Sequence, residues 1–186
     1  MNSELELCNS ALIKAGSEKI TALSDNNKRA IAVSTQYPFV RDLLLYSYPF
    51  KFSKARAQIT ADVTLPAFGF KYRYELPADC LRPLFIGCDR TRWEVEGRYI
   101  LTDKADGLNL EYIKKVTDVS QFDPMFCEVC ATYLAFDVSF QLTQSSTFQE
   151  KLEARVNEQL RSCRSASAQQ GTPREWIIDA FVSARR

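Results

Sequence analysis

Apolar residues recur along this chain with two different periods, and the switch between them divides it. Leu5, Cys8, Leu12 and Ala15 alternate spacings of three and four behind a Ser3-x-x-Glu6 capping box, and Gly16 offers a stop, which predicts an amphipathic helix over about 3–16. After the polar loop Ser24-Asp25-Asn26-Asn27, the residues Ala30, Val33, Tyr37, Val40 and Leu44 predict a second helix over about 28–46. Pro38 leaves two readings of it: a kink at that point, or a late start with Thr35 as N-cap and Pro38 in the first turn. From Phe68 the period becomes two, with Phe68, Phe70, Tyr72, Tyr74 and Leu76 alternating with Gly69, Lys71, Arg73 and Glu75, the pattern of a half-buried strand ended by Pro77. Leu84-Phe85-Ile86, a hairpin turning at Gly97 between Trp93/Val95 and Tyr99/Leu101, and Leu108/Leu110/Tyr112 complete an antiparallel sheet of about four strands within an inserted region of about 56–116.

The three-four period returns after Asp123-Pro124, an N-cap and N1 pair. Phe122, Phe126, Val129, Tyr133, Phe136 and Phe140 mark the core face of a third helix, about 123–142. A second capping box, Thr147-x-x-Glu150, opens a fourth helix over about 147–168 with Leu152, Val156, Leu160 and Cys163 inward, and Gly171 and Pro173 follow it. The fold class expected is α+β: an antiparallel bundle of about four helices with an inserted antiparallel sheet, forming one domain over 1–171, and an extended C-terminal tail over 172–186. That tail carries Trp176, Ile177, Ile178, Phe181 and Val182 among Arg174, Arg185 and Arg186. Left exposed, such side chains would be a solubility liability, so the tail either folds back or docks on a partner, and its aromatic and arginine content favours docking.

Composition narrows the chemistry. At 186 residues and 46% hydrophobic, the chain is long enough to bury about 70% of its unfolded surface. Its 24 Lys+Arg balance 23 Asp+Glu, so bulk charge makes no case for gripping nucleic acid or an anionic membrane. No apolar run approaches the roughly 20 residues of a bilayer span, and the start Met1-Asn2-Ser3-Glu4 has no signal-peptide pattern, so cytosolic synthesis is expected. The absence of histidine removes Ser-His and Cys-His pairs and every histidine metal ligand.

The remaining candidates read as structural. Cys127-x-x-Cys130 lies inside a helical aromatic stripe with no second pair to complete a zinc site, and the six cysteines fit reduced core residues. Glu94, Glu96, Glu111 and Asp118 include possible acid and base pairs, but sequence spacing does not establish the short separation glycoside hydrolysis needs. Lys28-Arg29, Lys114-Lys115 and Arg185-Arg186 are isolated basic pairs, and no phosphate-cradling glycine loop is present. No cofactor and no metal site are expected.

Several ordered phrases carry a resemblance. They are Asn9-Ser10-Ala11-Leu12-Ile13-Lys14-Ala15-Gly16 with Ile20-Thr21-Ala22-Leu23-Ser24-Asp25, Arg41-Asp42-Leu43-Leu44 with Tyr48-Pro49-Phe50-Lys51-Phe52-Ser53, Tyr74-Glu75-Leu76-Pro77-Ala78-Asp79, Trp93-Glu94-Val95-Glu96-Gly97-Arg98-Tyr99, and Phe122-Asp123-Pro124-Met125-Phe126. In this order the chain resembles the tail tubular protein A family of head-to-tail adaptors of short-tailed bacteriophages, over most of residues 5 to 170. It departs from the family at Phe50, where Trp is usual, and at Pro38, which interrupts a helix usually continuous.

The resemblance implies a non-enzymatic virion protein of the phage neck, made in the host cytoplasm. It implies a ring, typically of twelve copies, between the portal and the tail nozzle or tube, with double-stranded DNA passing through without sequence-specific contact. Near-neutral charge suits such a conduit, because neutralising many phosphates would hold the DNA. By analogy, portal binding falls to Arg174, Trp176, Ile177, Ile178, Phe181, Arg185 and Arg186 of the tail, and contact on the tail side to Lys71, Arg73 and Arg98 of the β-region. Two other classes compete: a virion-associated peptidoglycan hydrolase, which needs a carboxylate pair in a cleft, and a nucleic-acid-binding packaging accessory, against which the charge balance argues.

Overall fold

The computed structural model describes residues 3–87 and 91–169. The tail residues from Arg174 to Arg186, and with them the whole portal-binding assignment, lie outside the described residues, as does Cys88. Among the described residues the fold is α+β, with four α-helices and two small antiparallel sheets. Helices α1 (Glu4–Lys14) and α2 (Lys28–Ser47) come first, then strands β1 (Lys54–Ile59), β2 (Tyr72–Glu75), β3 (Cys80–Ile86), β4 (Trp93–Glu96), β5 (Tyr99–Thr102) and β6 (Leu108–Lys114), then helices α3 (Pro124–Thr143) and α4 (Ser146–Gln169).

The helix ends follow their local chemistry. The Glu6 amide donates to Ser3 Oγ at 3.2 Å. At the other end of α1, Gly16 takes φ +73° and the amides of Gly16 and Ser17 donate to the carbonyls of Ile13 and Leu12, a Schellman stop. The Ala30 amide donates to Asn27 Oδ1 at 2.9 Å, so α2 starts at Lys28 and runs through Pro38. The open question about that proline thus resolves against a late start at Thr35. Pro38 faces solvent, where water can meet the Ser34 carbonyl it leaves without a donor. Asp123 caps α3 through the Met125 amide at 2.8 Å, with Pro124 at N1. The fourth helix differs from expectation: the Phe148 amide donates to Ser145 Oγ at 3.4 Å, so the cap is Ser145 and not Thr147. Gln144, left-handed at φ 55°, ends α3 and makes the turn short enough for α4 to start earlier.

The β-region also differs from the expected single sheet. One sheet has the order β1-β6-β3 and the other β2-β5-β4, all antiparallel. Strand β1 carries Ala55, Ala57 and Ile59 inward, too small an apolar signal to mark it beforehand. The strand expected from Phe68 to Leu76 shrinks to Tyr72–Glu75, because its partner β5 ends at the Tyr72/Thr102 pair and Gly69, at φ +84°, breaks the extended backbone before it. Phe68 is consequently 87% exposed. Pro83 is accommodated on the edge strand β3, whose register slips on either side of it. Gly97, at φ +59°, opens the two-residue turn expected between β4 and β5.

Two cores result. Tyr74, Ile86, Ile100, Leu108, Leu110 and Tyr112 fill the space between the sheets, while Ile113 points the other way into the helices, so β6 serves both cores by simple alternation. In the helical core, α3 packs against α1, α2 and α4. Phe126, Val129, Cys127 and Cys130 are buried as expected, and Ala131, Leu134, Ala135 and Val138, which the aromatic stripe did not anticipate, are wholly buried beside them, but Phe140 is 52% exposed. A helix covered on three sides needs small residues as well as large ones, since they let neighbouring backbones approach. By length and composition α3 passes for a membrane-spanning helix, though it is the central helix of this core. Phe50, Phe52, Phe122 and Phe126 cluster with centroids 4.9 to 5.7 Å apart, locking together the two places where the chain passes between helices and sheets.

Candidate functional site

The groups that suggested chemistry from sequence have structural employment. The thiols of Cys8, Cys80, Cys127, Cys130 and Cys163 are buried and free. Burial, the largest cause in each, pushes the Cys8 thiol up to about 12 and Cys80 up to about 11, and raises Cys127, Cys130 and Cys163 as well, so all five are neutral packing groups. Among the described residues, no group of three His, Cys, Asp or Glu is placed to hold a metal ion. Asp118 accepts from the Ser120 hydroxyl and amide and from Gln121, which hold its carboxyl below the usual range. Glu111 is occupied by Lys54 at 3.3 Å and Arg56 at 3.7 Å, and Glu94 and Glu96 stand exposed on the edge strand β4.

Of the three β-region cations assigned to tail contact, two are spent inside the molecule. Arg98 donates to the carbonyls of Leu76, Pro77 and Cys80 at 3.2, 2.6 and 3.2 Å, clamping the β4–β5 turn onto the β2–β3 connection. Arg73 pairs with Asp62 at 3.0 Å and stacks on the Tyr99 ring at 4.5 Å. Lys71 is exposed, with its amide donating to Asp103. Arg73 sits in a groove of about 780 Å³ between loop 65–70 and the β4–β5 hairpin, and Arg92, absent from the sequence reading, stands over Phe70 there at 4.4 Å. A second, smaller hollow of about 450 Å³ lies over β1 and β6, lined by Arg56, Gln58, Phe85, Asn109 and Glu111.

The most distinctive surfaces are apolar, and the sequence reading missed both. On α2, Ile31, Phe39, Leu43 and Tyr46 are 53%, 68%, 48% and 52% exposed. Beyond Arg29 the only charged residues of that helix are Arg41, which is buried, and Asp42, which is half-buried and held between Arg41 and Lys115 at 2.8 Å each. Between Ala30 and Ser47 the outer face of α2 therefore presents mainly apolar and aromatic side chains, the one exposed charge beside it being Lys115, which is paired with Asp42. Loop 63–70 is the second surface: Val63-Thr64-Leu65-Pro66-Ala67-Phe68-Gly69-Phe70 contains no charged residue, and Val63, Leu65 and Phe68 are 98%, 62% and 87% exposed. The available signal for the first was a helix apolar on both faces; for the second it was the uncharged run itself.

The loop is held out by a defined frame. The Asp62 amide donates to the Arg73 carbonyl at 2.8 Å, the Thr64 amide donates to Asp62 Oδ1 at 2.8 Å, and Ala61 bridges to Tyr74. The Thr64 amide is also the first cause holding the Asp62 carboxyl below the usual range, with Arg73 adding to it. No protein-family model matches the chain, and no curated protein sequence matches it.

Proposed function

We propose that this chain is a structural subunit of a phage neck: a ring-forming head-to-tail adaptor that joins the portal to the tail nozzle or tube and encloses part of the DNA path. The observation that carries the reading is the pair of exposed apolar surfaces on two different parts of one chain, the α2 face and loop 63–70. A closed ring is built from heterologous contacts, which need two unlike surfaces per subunit. The ordered phrases shared with tail tubular protein A supply the place of that ring in the virion.

In this reading the helices pack as an antiparallel bundle and the β-region, with Lys71 and the groove around Arg73 and Arg92, faces the tail. Arg98, exposed on that side, also braces the hairpin there. The tail over 172–186 reaches the portal through Trp176, Ile178 and Phe181, and ordering it costs about 1–2 kcal/mol per residue in backbone entropy, so it docks only where those side chains find pockets.

Electron microscopy of the purified protein, alone and mixed with its portal ring, tests this. Rings seated on the portal are expected, and loss of seating without loss of fold when residues 172 to 186 are deleted. A protein that ignores the portal overturns the adaptor reading; normal seating by the truncated form overturns the role given to the tail.

A further inference from the structure

We infer that loop 63–70 of one copy docks on the outer face of α2 in the next copy. The contact deepens the ring reading above and rests on it, naming the two surfaces that meet. Each half is unusual alone. A surface helix ordinarily carries charge on its outer face, yet α2 shows Ile31, Phe39, Leu43 and Tyr46 there, over about 24 Å of helix. A loop tip is ordinarily polar, yet this one shows Val63, Leu65 and Phe68. Depletion of charge with enrichment of aromatic side chains is the composition of an interface centre.

The two surfaces fit each other for three reasons. They match electrostatically, since the charges that border them are already paired, Asp42 with Arg41 and Lys115 beside the helix face and Arg92 with Glu94 beside the loop, so the contact would bury no lone charge. Both are preformed: α2 is packed along its inner face against α3, and the Asp62, Thr64 and Arg73 bonds hold the loop at its base, so little ordering entropy is lost on docking. They also belong to one chain, so a single kind of heterologous contact covers both on every copy. An isologous pairing of α2 with α2 would leave Phe68 and its neighbours in water. Repeated head to tail, the contact yields a ring where the rotation closes.

Complementation between two disabled variants tests this in the full-length chain without any portal. Phe39→Asp destroys the helix face and leaves the loop; Phe68→Asp destroys the loop and leaves the helix face. Both positions are exposed, so circular dichroism should show unchanged folding. By sedimentation, wild type is expected to self-associate with concentration, and each variant alone to do so roughly thirtyfold or more weakly, the effect of losing one aromatic hot spot. An equimolar mixture should recover a one-to-one dimer and stop there, because one intact contact remains. Wild type that stays monomeric at about 1 mM overturns the inference. So does a Phe68→Asp variant that associates like wild type, or a mixture of two monomeric variants that forms no dimer. Complementation by a protein that ignores the portal would sink the adaptor reading alone, whereas seated rings without complementation would sink this contact alone.

Discussion

In the helical core, Phe126, Cys130, Leu134 and Val138 are wholly buried and the packing is almost entirely apolar. Between the sheets, the wholly buried Tyr74 sends its hydroxyl to the Lys104 carbonyl at 2.6 Å, Tyr112 reaches Asp79 at 3.1 Å, and Arg98 holds three carbonyls from outside. The difference lies in how much apolar area each part can enclose. Helices of about three to seven turns around α3 bury long faces, while two sheets with several four-residue strands leave ends and connections that only directional bonds can fix. Such a frame can also present an apolar loop to solvent, because polar bonds at its base, not burial of its tip, keep the loop in place.

The largest effect that would break this comparison is a cavity in the helical core. Phe126→Ala removes the ring shared by the Phe50, Phe52 and Phe122 contacts and should lower unfolding free energy by about 3–5 kcal/mol in a urea titration. A loss under about 1 kcal/mol would mean that the cluster is not part of the cooperative core.

Next in size is the clamp. Arg98→Ala should cost about 1–2 kcal/mol, less than the cavity, and its signature should be faster amide exchange around Leu76–Cys80 with the helices unaffected. Uniformly faster exchange across both parts would show that they do not differ as described.

The smallest effect sharpens the comparison from the helical side, where Glu128 on α3 is the main polar tie. It accepts from Lys14 at 2.5 Å, Gln159 at 3.2 Å and Arg155 at 3.5 Å, joining α1, α3 and α4. The Lys14 hydrogen bond, against an opposing effect of burial, holds its carboxyl below the ordinary value of 4.5. A carboxylate with a depressed folded value contributes stability above about pH 4.5 that is lost as pH falls through that folded value. Glu128→Gln should therefore lower stability at pH 7 by less than about 1 kcal/mol, because the group is partly exposed, and the deficit should shrink as pH falls through the lowered folded value. A deficit independent of pH would assign it to packing instead of charge.

Much of this architecture was legible in the residues, and what was not has identifiable causes. The caps Ser3, Asn27 and Asp123 act within three residues of themselves, so their helices start where local chemistry says. Thr147 obeyed the same local pattern and lost to Ser145, because the left-handed turn at Gln144 set the start of α4. The alternation at Phe68 and Phe70 is real, but a strand also needs a partner, and β5 is too short to supply one. The β-region cations were recognisable as charged residues, but the intramolecular bonds of Arg98 were not legible, since they reach carbonyls some 20 positions away in sequence.

The sequence by itself determined the four helices of the described residues, the inserted β-region and the inertness of the buried cysteines, because periodicity, capping and side-chain size act over a few neighbouring residues. Only the tertiary structure decided that the strands form two sheets, that α3 is covered on three sides, and that the α2 face and loop 63–70 are left uncovered. Exposure is a property of what the rest of the chain fails to reach, and no stretch of sequence carries that information about itself.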